Sequence, residues 1–512
     1  MVSAPEIGAL PKILSPGPIP HPINRLPEDI FVLIPCYFES ENGDPDTFST
    51  NKSLITMTHV CRSWRSALLS TPDLWTQLDF SISESKQAEC FLARSGNQLL
   101  DVYQSVDTAD NINPFLPITL RNTHRLRRLD IACYHEHIED ILAQLTKPAP
   151  ELKHLTIAND PRFREDVGFR VGDAKLPNTI FGGQFPKLAT LSLKSVYMDL
   201  HNLNLPSLTG FSFRTAVDVS VQDLTFFFRR CPSLEFINFH LSGSSRPPIA
   251  PPRNRVCLAA LKELRLGHLP CTSGLINHLT LPLCAEVMLQ GQFTVEERND
   301  FGGPAAQIHP SSIDHLPVTR GITKAVAMPN SCILSGPNGN LRFWFSTRTN
   351  FDAGFFTSLY PISVSEIKEL WVGHKDTRPL QETRVWDPTV AEVYGVFEVL
   401  TKVEDLAIVS CKPGSFLSAL VVVADDRIPL PTLRRLTVFV GLWGLDIPAL
   451  IQCAKTRKEH SRPLGEVTIV FEEPKAEFIE GVELLREFVG ESVFRVGATP
   501  RLSWMGEDRE PR

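Results

Sequence analysis

An apolar pattern recurs along most of this chain, with leucine or another apolar residue at the first, fourth and sixth positions of a six-residue unit. Ten copies begin at Leu126, Leu152, Leu188, Leu208, Leu234, Leu261, Ile367, Val403, Leu433 and Leu464. The alternation at the fourth and sixth positions predicts a short strand with one buried face. Apart from the long interval between Leu261 and Ile367, copies begin 20 to 36 residues apart. Units this short cannot bury their apolar face alone, so we expect them to stack.

Helical segments separate several of these strands. His137 to Leu145, Val221 to Arg230 and Phe416 to Ala424 carry apolar residues at helical spacing. Strands that alternate with helices predict an α/β fold with a parallel sheet. The repeating unit resembles a degenerate leucine-rich repeat, and this resemblance implies an irregular α/β solenoid over residues 81 to 505.

The long interval, from about residue 290 to 365, is predicted to be an insert in this array. Ser331 to Ser335 and Leu341 to Phe345 are strand-like runs, and Asn338-Gly339 between them is a strong signal for a tight hairpin turn. The chain ends differ from the array. Residues 1 to 21 are rich in proline and are expected to be disordered, and residues 506 to 512 are expected to form a flexible tail.

Residues 22 to 80 contain apolar residues at helical spacing. A first helix is predicted from about Pro27, because proline in the first turn of a helix sacrifices no hydrogen bond. A second apolar stripe has the three-and-four spacing of one helix or of two consecutive helices. It consists of Leu54, Met57, Cys61, Trp64 and Leu68. Pro72 then begins a short turn that carries Leu74 and Trp75, and a first strand is predicted at Leu78 to Phe80.

Three motifs in this region are similar to those of the F-box, in the form common in large fungal F-box families. They are Leu26-Pro27 before an apolar helix, His59-Val60-Cys61-Arg62-Ser63-Trp64-Arg65, and Pro72-Asp73-Leu74-Trp75. The resemblance implies a three-helix module over residues 22 to 80 that binds a Skp-type adaptor and, through it, a cullin.

We expect the adaptor to contact apolar residues of this module, because so small a unit cannot bury them all by itself. The adaptor-binding candidates are Leu26, Pro27, Ile30, Phe31, Leu33, Ile34, Leu54, Val60, Cys61 and Trp64, and the candidates for the module core and junction are Leu68, Leu74 and Trp75. The alternative is a stand-alone helical hairpin in which Trp64 and Trp75 are simply core residues.

The residues between the apolar positions of each strand face the other side of the predicted sheet. Most of them are polar, as an exposed binding surface requires, and Trp371 is the exception. An exposed tryptophan is a natural hot spot for a bound protein, although cover by a neighbouring segment is the favoured arrangement. Asn238, Arg265 and Trp371 are the candidate target-binding residues.

Composition and motifs argue against several classes of function. A net charge of −7 makes a nucleic-acid partner unexpected. The eleven cysteines contain no C-x-x-C pair, which predicts a reducing compartment and no metal site. No signal peptide or membrane-length apolar run is recognised. We therefore expect an intracellular protein, cytoplasmic or nuclear, that does not contact membranes. No nucleotide-binding or hydrolase motif is present, so neither a catalytic site nor a cofactor is expected.

The favoured hypothesis is a non-catalytic substrate-recognition subunit of a Skp/cullin-type ubiquitin ligase, in which the repeat region holds an unknown protein target. One alternative is a repeat scaffold without a ligase role. Another is a parallel β-helix enzyme that acts on polysaccharide, since such folds also repeat at these intervals.

Overall fold

A computed structural model describes residues 34, 50–80, 85–105, 112–133, 135–159, 173–201, 205–215, 217, 219–241, 255–267, 272–290, 313–328, 331–344, 356, 362–373, 388–410, 413–422, 427–440, 446–471 and 484–496. Statements about structure concern these residues. The two chain ends predicted to be disordered, residues 1–21 and 506–512, lie outside them.

Ten α-helices lie within the described residues. They are α1 Thr50–Thr58, α2 Arg62–Leu69, α3 Ser85–Arg94, α4 Ile112–Arg121, α5 His135–Gln144, α6 Val221–Arg230, α7 Thr272–Asn277, α8 Val390–Val399, α9 Gly414–Ala419 and α10 Ile447–Glu459. None of these helices is long and apolar enough to cross a membrane.

Twenty-one strands accompany these helices in the same parts of the chain. Those before residue 291 are β1 Gln77–Asp79, β2 Leu100–Ser105, β3 Leu126–Cys133, β4 His154–Asn159, β5 Ala174–Lys175, β6 Thr190–Lys194, β7 Val196–Tyr197, β8 Gly210–Thr215, β9 Phe236–Leu241, β10 Val256–Cys257, β11 Glu263–Gly267, β12 Leu279–Thr280 and β13 Glu286–Gln290. Those after it are β14 Lys324–Met328, β15 Ser331–Gly336, β16 Gly339–Trp344, β17 Glu369–Gly373, β18 Asp405–Ser410, β19 Arg435–Val440, β20 Glu466–Phe471 and β21 Glu491–Val496.

Seventeen of the strands form one large sheet that is almost entirely parallel. From β1 to β13 the neighbours follow chain order, through β2, β3, β4, β6, β8, β9 and β11. Strands β17 to β21 continue in chain order at the other end. The fold is therefore mixed α/β with a large, mostly parallel sheet, as the alternation of strand-like and helical segments predicts.

The predicted insert contains a hairpin that lies within the sheet. Strand β16 pairs in parallel with β13, β15 is antiparallel to both β16 and β14, and β14 pairs in parallel with β17. The hairpin turn is Pro337-Asn338, because Gly336 pairs with Gly339. The insert thus joins the two runs of parallel strands into one continuous sheet.

The apolar residues of each copy line one face of the sheet, and helices cover them. In α6, Ser220 caps the first turn by accepting a hydrogen bond from the Asp223 amide. The Phe227 ring of that helix lies 4.8 Å from the ring of Phe211 on β8, and both side chains are fully buried. Burial of a side chain of this size is worth ~1.5–3 kcal/mol, so the copies stabilise one shared core.

Candidate functional site

The His59–Arg65 motif forms the corner between helices α1 and α2. Cys61 is the N-cap of α2, and its Sγ accepts a hydrogen bond from the Trp64 amide at 3.4 Å. The Arg65 Nε donates to the Thr58 carbonyl at 2.8 Å, at the end of α1. A cation is favourable there because the last carbonyls of a helix carry partial negative charge. The motif therefore fixes the angle between two helices by local hydrogen bonds.

Val60 gives this corner an exposed apolar surface. Its side chain is 57% exposed, whereas Cys61 and Trp64 are half-buried. Leu54 is only 1% exposed, so it belongs with the core residues and offers no surface to a partner in this conformation. Leu69, at the end of α2, is 38% exposed. The sequence pattern gave no reason to select Leu69, because it lies off the apolar stripe that ends at Leu68.

The first part of the predicted adaptor-binding set is mostly beyond the described residues. Leu26, Pro27, Ile30, Phe31 and Leu33 lie outside them, and Ile34 is described as half-buried against the core.

The module core and junction residues connect these helices to the sheet. Leu68 and Trp75 are fully buried, and Leu74 is half-buried against the same core. The Trp75 indole meets the Phe91 ring edge-on, with 4.9 Å between the ring centroids. Arg94 lies over the same indole, 4.4 Å from its centroid. Because Phe91 and Arg94 belong to α3, these contacts hold the helical segment against the beginning of the sheet.

Two of the candidate target-binding residues are neighbours on the outward face of the sheet, opposite the helices. Asn238 on β9 and Arg265 on β11 are in register. Asn238 Nδ2 donates to Ser212 Oγ at 3.5 Å. Arg265 forms an ion pair with Glu263 and lies over the Phe236 ring, 5.6 Å from its centroid.

Both residues line a groove of about 320 Å³ that crosses strands β6, β8, β9, β11 and β13. We call this the basic groove, after the side chains of Lys194, Arg214, His240 and Arg265 in its lining. The first three of these residues are not among the candidates predicted from the sequence. Each one follows an outward-facing polar residue by two positions, as Lys194 follows Ser192, so the repeat register contains the signal.

Trp371, the third candidate, lies away from the groove. Five strand spacings, ~24 Å, separate β17 from β11. Trp371 is half-buried, and its indole N–H donates to Glu369 Oε1 at 3.1 Å. It packs on an apolar strip of the outward face, formed by Ala407, Val409, Phe439 and Val470. The structure therefore does not bring the three predicted residues into one site.

The buried thiols of the protein are poor nucleophiles. Burial raises the pKa of Cys133, Cys231, Cys284 and Cys453 to about 12. A thiol with such a pKa stays protonated at neutral pH, and the thiolate is the reactive form. Within the described ranges, no group of three or more His, Cys, Asp or Glu side chains is placed to hold a metal ion.

The outward face can bind by charge and shape, and the helical corner by its exposed apolar residues. Comparison with known proteins adds no identity to these surfaces: no protein-family model matches the chain, and no curated protein is significantly similar to it.

Proposed function

We propose that this chain is a substrate-recognition subunit of a Skp/cullin-type ubiquitin ligase. In this proposal, residues 22 to 80 are a three-helix F-box-like module that binds a Skp-type adaptor. Residues 81 to 505 are an irregular leucine-rich-repeat solenoid that holds a protein target. The chain itself performs no chemistry, and the cullin complex transfers ubiquitin.

The exposure of Val60 is the observation that carries the proposal. Val60 lies exposed at the corner between α1 and α2, whereas Leu54 and Leu68 of the apolar stripe are buried, so Val60 is an available apolar anchor. Its position within the F-box-like motif is where the resemblance expects an adaptor contact. Burial of such a side chain in an interface is worth ~1.5–3 kcal/mol.

The chain-order arrangement of parallel strands supports the solenoid part of the proposal. Each copy supplies one strand to the same sheet and buries its apolar residues against the neighbouring copies, which is how stacked repeats acquire a core. The helices between the strands also argue against the parallel β-helix alternative, because that alternative does not account for them.

Adaptor binding by the full chain tests the proposal. We expect the wild-type chain to bind a purified Skp-type adaptor in isothermal titration calorimetry, and V60E to weaken that binding about tenfold or more, because a carboxylate would be desolvated in the interface. L283E is the matched control, since Leu283 is 70% exposed at another position; its adaptor affinity should stay unchanged.

A second variant, with Leu26 and Pro27 both replaced by alanine, tests the first predicted helix of the module. It should lose adaptor affinity while retaining the wild-type denaturation midpoint. If the folded wild-type chain binds no adaptor, the ligase role is excluded and the scaffold without a ligase role becomes the better description.

A further inference from the structure

The basic groove concentrates positive charge on the outward face of the sheet, toward the C-terminal ends of strands β6, β8 and β9. Arg214 is in register with both Lys194 and His240 on its two neighbouring strands. Neighbouring strands lie ~4.8 Å apart, so the two cations and the imidazole form one row across β6, β8 and β9. Arg265 is on the next strand, and the residues that line the groove, all in the described part of the chain, include neither Asp nor Glu.

Gly267 lets the groove continue beyond His240. A Cβ at Gly267 would lie 2.6 Å from His240 Nδ1 and 2.9 Å from Gln290 Oε1. Because glycine has no Cβ, the two polar side chains can approach each other across β11. The polar row thus runs from β6 to β13, over ~19 Å for four strand spacings. About six residues of an extended peptide span that distance.

The charges around the groove favour a peptide over a nucleic acid as its occupant. Glu263 and Glu286 lie on the same face, at the starts of β11 and β13 and two residues before Arg265 and Met288 of the groove lining, and Glu263 forms an ion pair with Arg265. A nucleic acid carries a negative charge on every phosphate. A nucleic-acid chain that continued across this face would therefore bring phosphates close to these carboxylates, which would repel them. A peptide can place acidic side chains only where the cations are.

We propose that the basic groove binds an acidic segment of a protein, with Asp or Glu carboxylates of that segment accepting hydrogen bonds from Lys194 and Arg214. Hydrogen bonds between ionised partners are shorter and stronger than neutral ones, and the outward face leaves the Arg214 side chain exposed for them. The inference rests on the proposed function, because it specifies the chemistry of the target that the repeat region holds.

Fluorescence anisotropy with the full chain tests this assignment. The probe is a fluorescein-labelled eight-residue peptide of alternating Glu and Ser, and its comparison is the same peptide with Gln in place of Glu. We expect the wild-type chain to bind the Glu peptide at least about tenfold more tightly than the Gln peptide at low salt. Binding should weaken as salt is raised, because exposed charges are screened.

Two charge-matched double variants locate the site. One carries K194Q and R214Q in the groove, and the other carries K147Q and K153Q at exposed positions outside it. Each removes two positive charges from a net charge of −7, which gives −9 in both. The groove variant should lose about tenfold or more in affinity for the Glu peptide, and the control should change by less than about twofold.

Three results would overturn the inference: no binding of the Glu peptide by the wild-type chain, equal loss in the two double variants, or tighter binding of a single-stranded RNA oligonucleotide than of the peptide. The same proteins are titrated with the Skp-type adaptor, so that the two proposals fail separately. A chain that binds the adaptor but not the peptide retains the ligase proposal alone, and a chain that binds only the peptide retains the groove.

Discussion

Trp75 donates its indole N–H to the backbone carbonyl of Leu68 over 2.9 Å, and both residues are fully buried. Leu68 lies in the last turn of α2, so its carbonyl is one of the four that lack a partner within the helix. The indole satisfies this carbonyl from the chain segment that leads into β1. One hydrogen bond therefore joins the end of α2 to the segment that leads into β1.

Replacement of Trp75 by phenylalanine should destabilise the protein by ~2–3 kcal/mol. The variant keeps an aromatic ring near Phe91 but removes the indole donor. The Leu68 carbonyl then keeps only backbone amide donors, among them Thr71 at 3.4 Å, and a small cavity replaces the second ring. The measurement is the free energy of unfolding in urea. F226L is the control, because Phe226 is 40% exposed, and we expect it to stay within ~0.5 kcal/mol of wild type. A similar loss in both variants would contradict this role for the indole.

Gly339 should be intolerant of a side chain. Its φ is +122°, and a Cβ there would overlap the carbonyl of Ala285, which accepts a hydrogen bond from the Asn340 amide at 2.7 Å. We expect G339A to lose ~2–4 kcal/mol of stability, because the contact between β16 and the chain before β13 must open.

The matched control for Gly339 is G96A. Gly96 also has a positive φ, of +56°, but a Cβ there would meet no atom within 4 Å. This variant should cost only ~1–2 kcal/mol, the backbone strain alone. Urea unfolding of both variants provides the comparison. An equal loss of stability in the two variants would mean that the close contact with Ala285 does not contribute to the free energy of unfolding.

Apolar periodicity predicted the strands whose inward positions hold large residues and missed several others. Strand β14 places Ala325 and Ala327 inward, which are buried but too small to stand out in a pattern of leucines. The unit that contains strand β13 has Cys284 at its first position, and it is not among the ten predicted copies although Val287 and Leu289 follow at the correct spacing. The position of a residue in the sheet determines whether it is buried. Small residues can therefore occupy inward positions as well as leucine does, without producing a recognisable apolar pattern.

The candidate site depended more strongly on register than on local pattern. The basic groove forms because Lys194, Arg214 and His240 occupy equivalent positions on adjacent strands, 20 or more residues apart in the chain. In the same way, Trp371 meets Phe439 across one intervening strand, with 5.8 Å between ring centroids. Each strand contributes only one residue to such a cluster. The cluster can therefore be recognised only when the register between neighbouring strands is known.

Arg457 should contribute strongly to the stability of the last repeats. It is fully buried, and its guanidinium donates to the carbonyls of Pro429 and Leu430 at 3.0 and 2.8 Å. Burial lowers the pKa of this arginine. R457M fills a similar volume but removes both guanidinium donors. The Leu430 carbonyl keeps the Leu433 amide at 3.0 Å, whereas the buried Pro429 carbonyl loses the Arg457 bond, so we expect a loss of ~1–3 kcal/mol.

The control for this substitution is R462M, because Arg462 is exposed and should tolerate the same change within ~0.5 kcal/mol. Urea unfolding of the full chain measures both variants. If R457M is as stable as R462M, the guanidinium hydrogen bonds do not contribute to the free energy of unfolding.

His154 should make the protein sensitive to mild acid. Burial lowers the pKa of this imidazole from its ordinary value of 6.5, and the charge of Arg128 lowers it further. The unfolded chain then takes up a proton on His154 at a higher pH than the folded chain does. Its contribution to stability is therefore present above pH 6.5 and is lost as the pH falls through the folded-state pKa. H154Q retains a polar group that can bond to Thr190 and does not titrate. The urea midpoint of the wild-type chain should fall more between pH 7.5 and 5.5 than that of H154Q, and equal falls would assign the acid sensitivity to other groups.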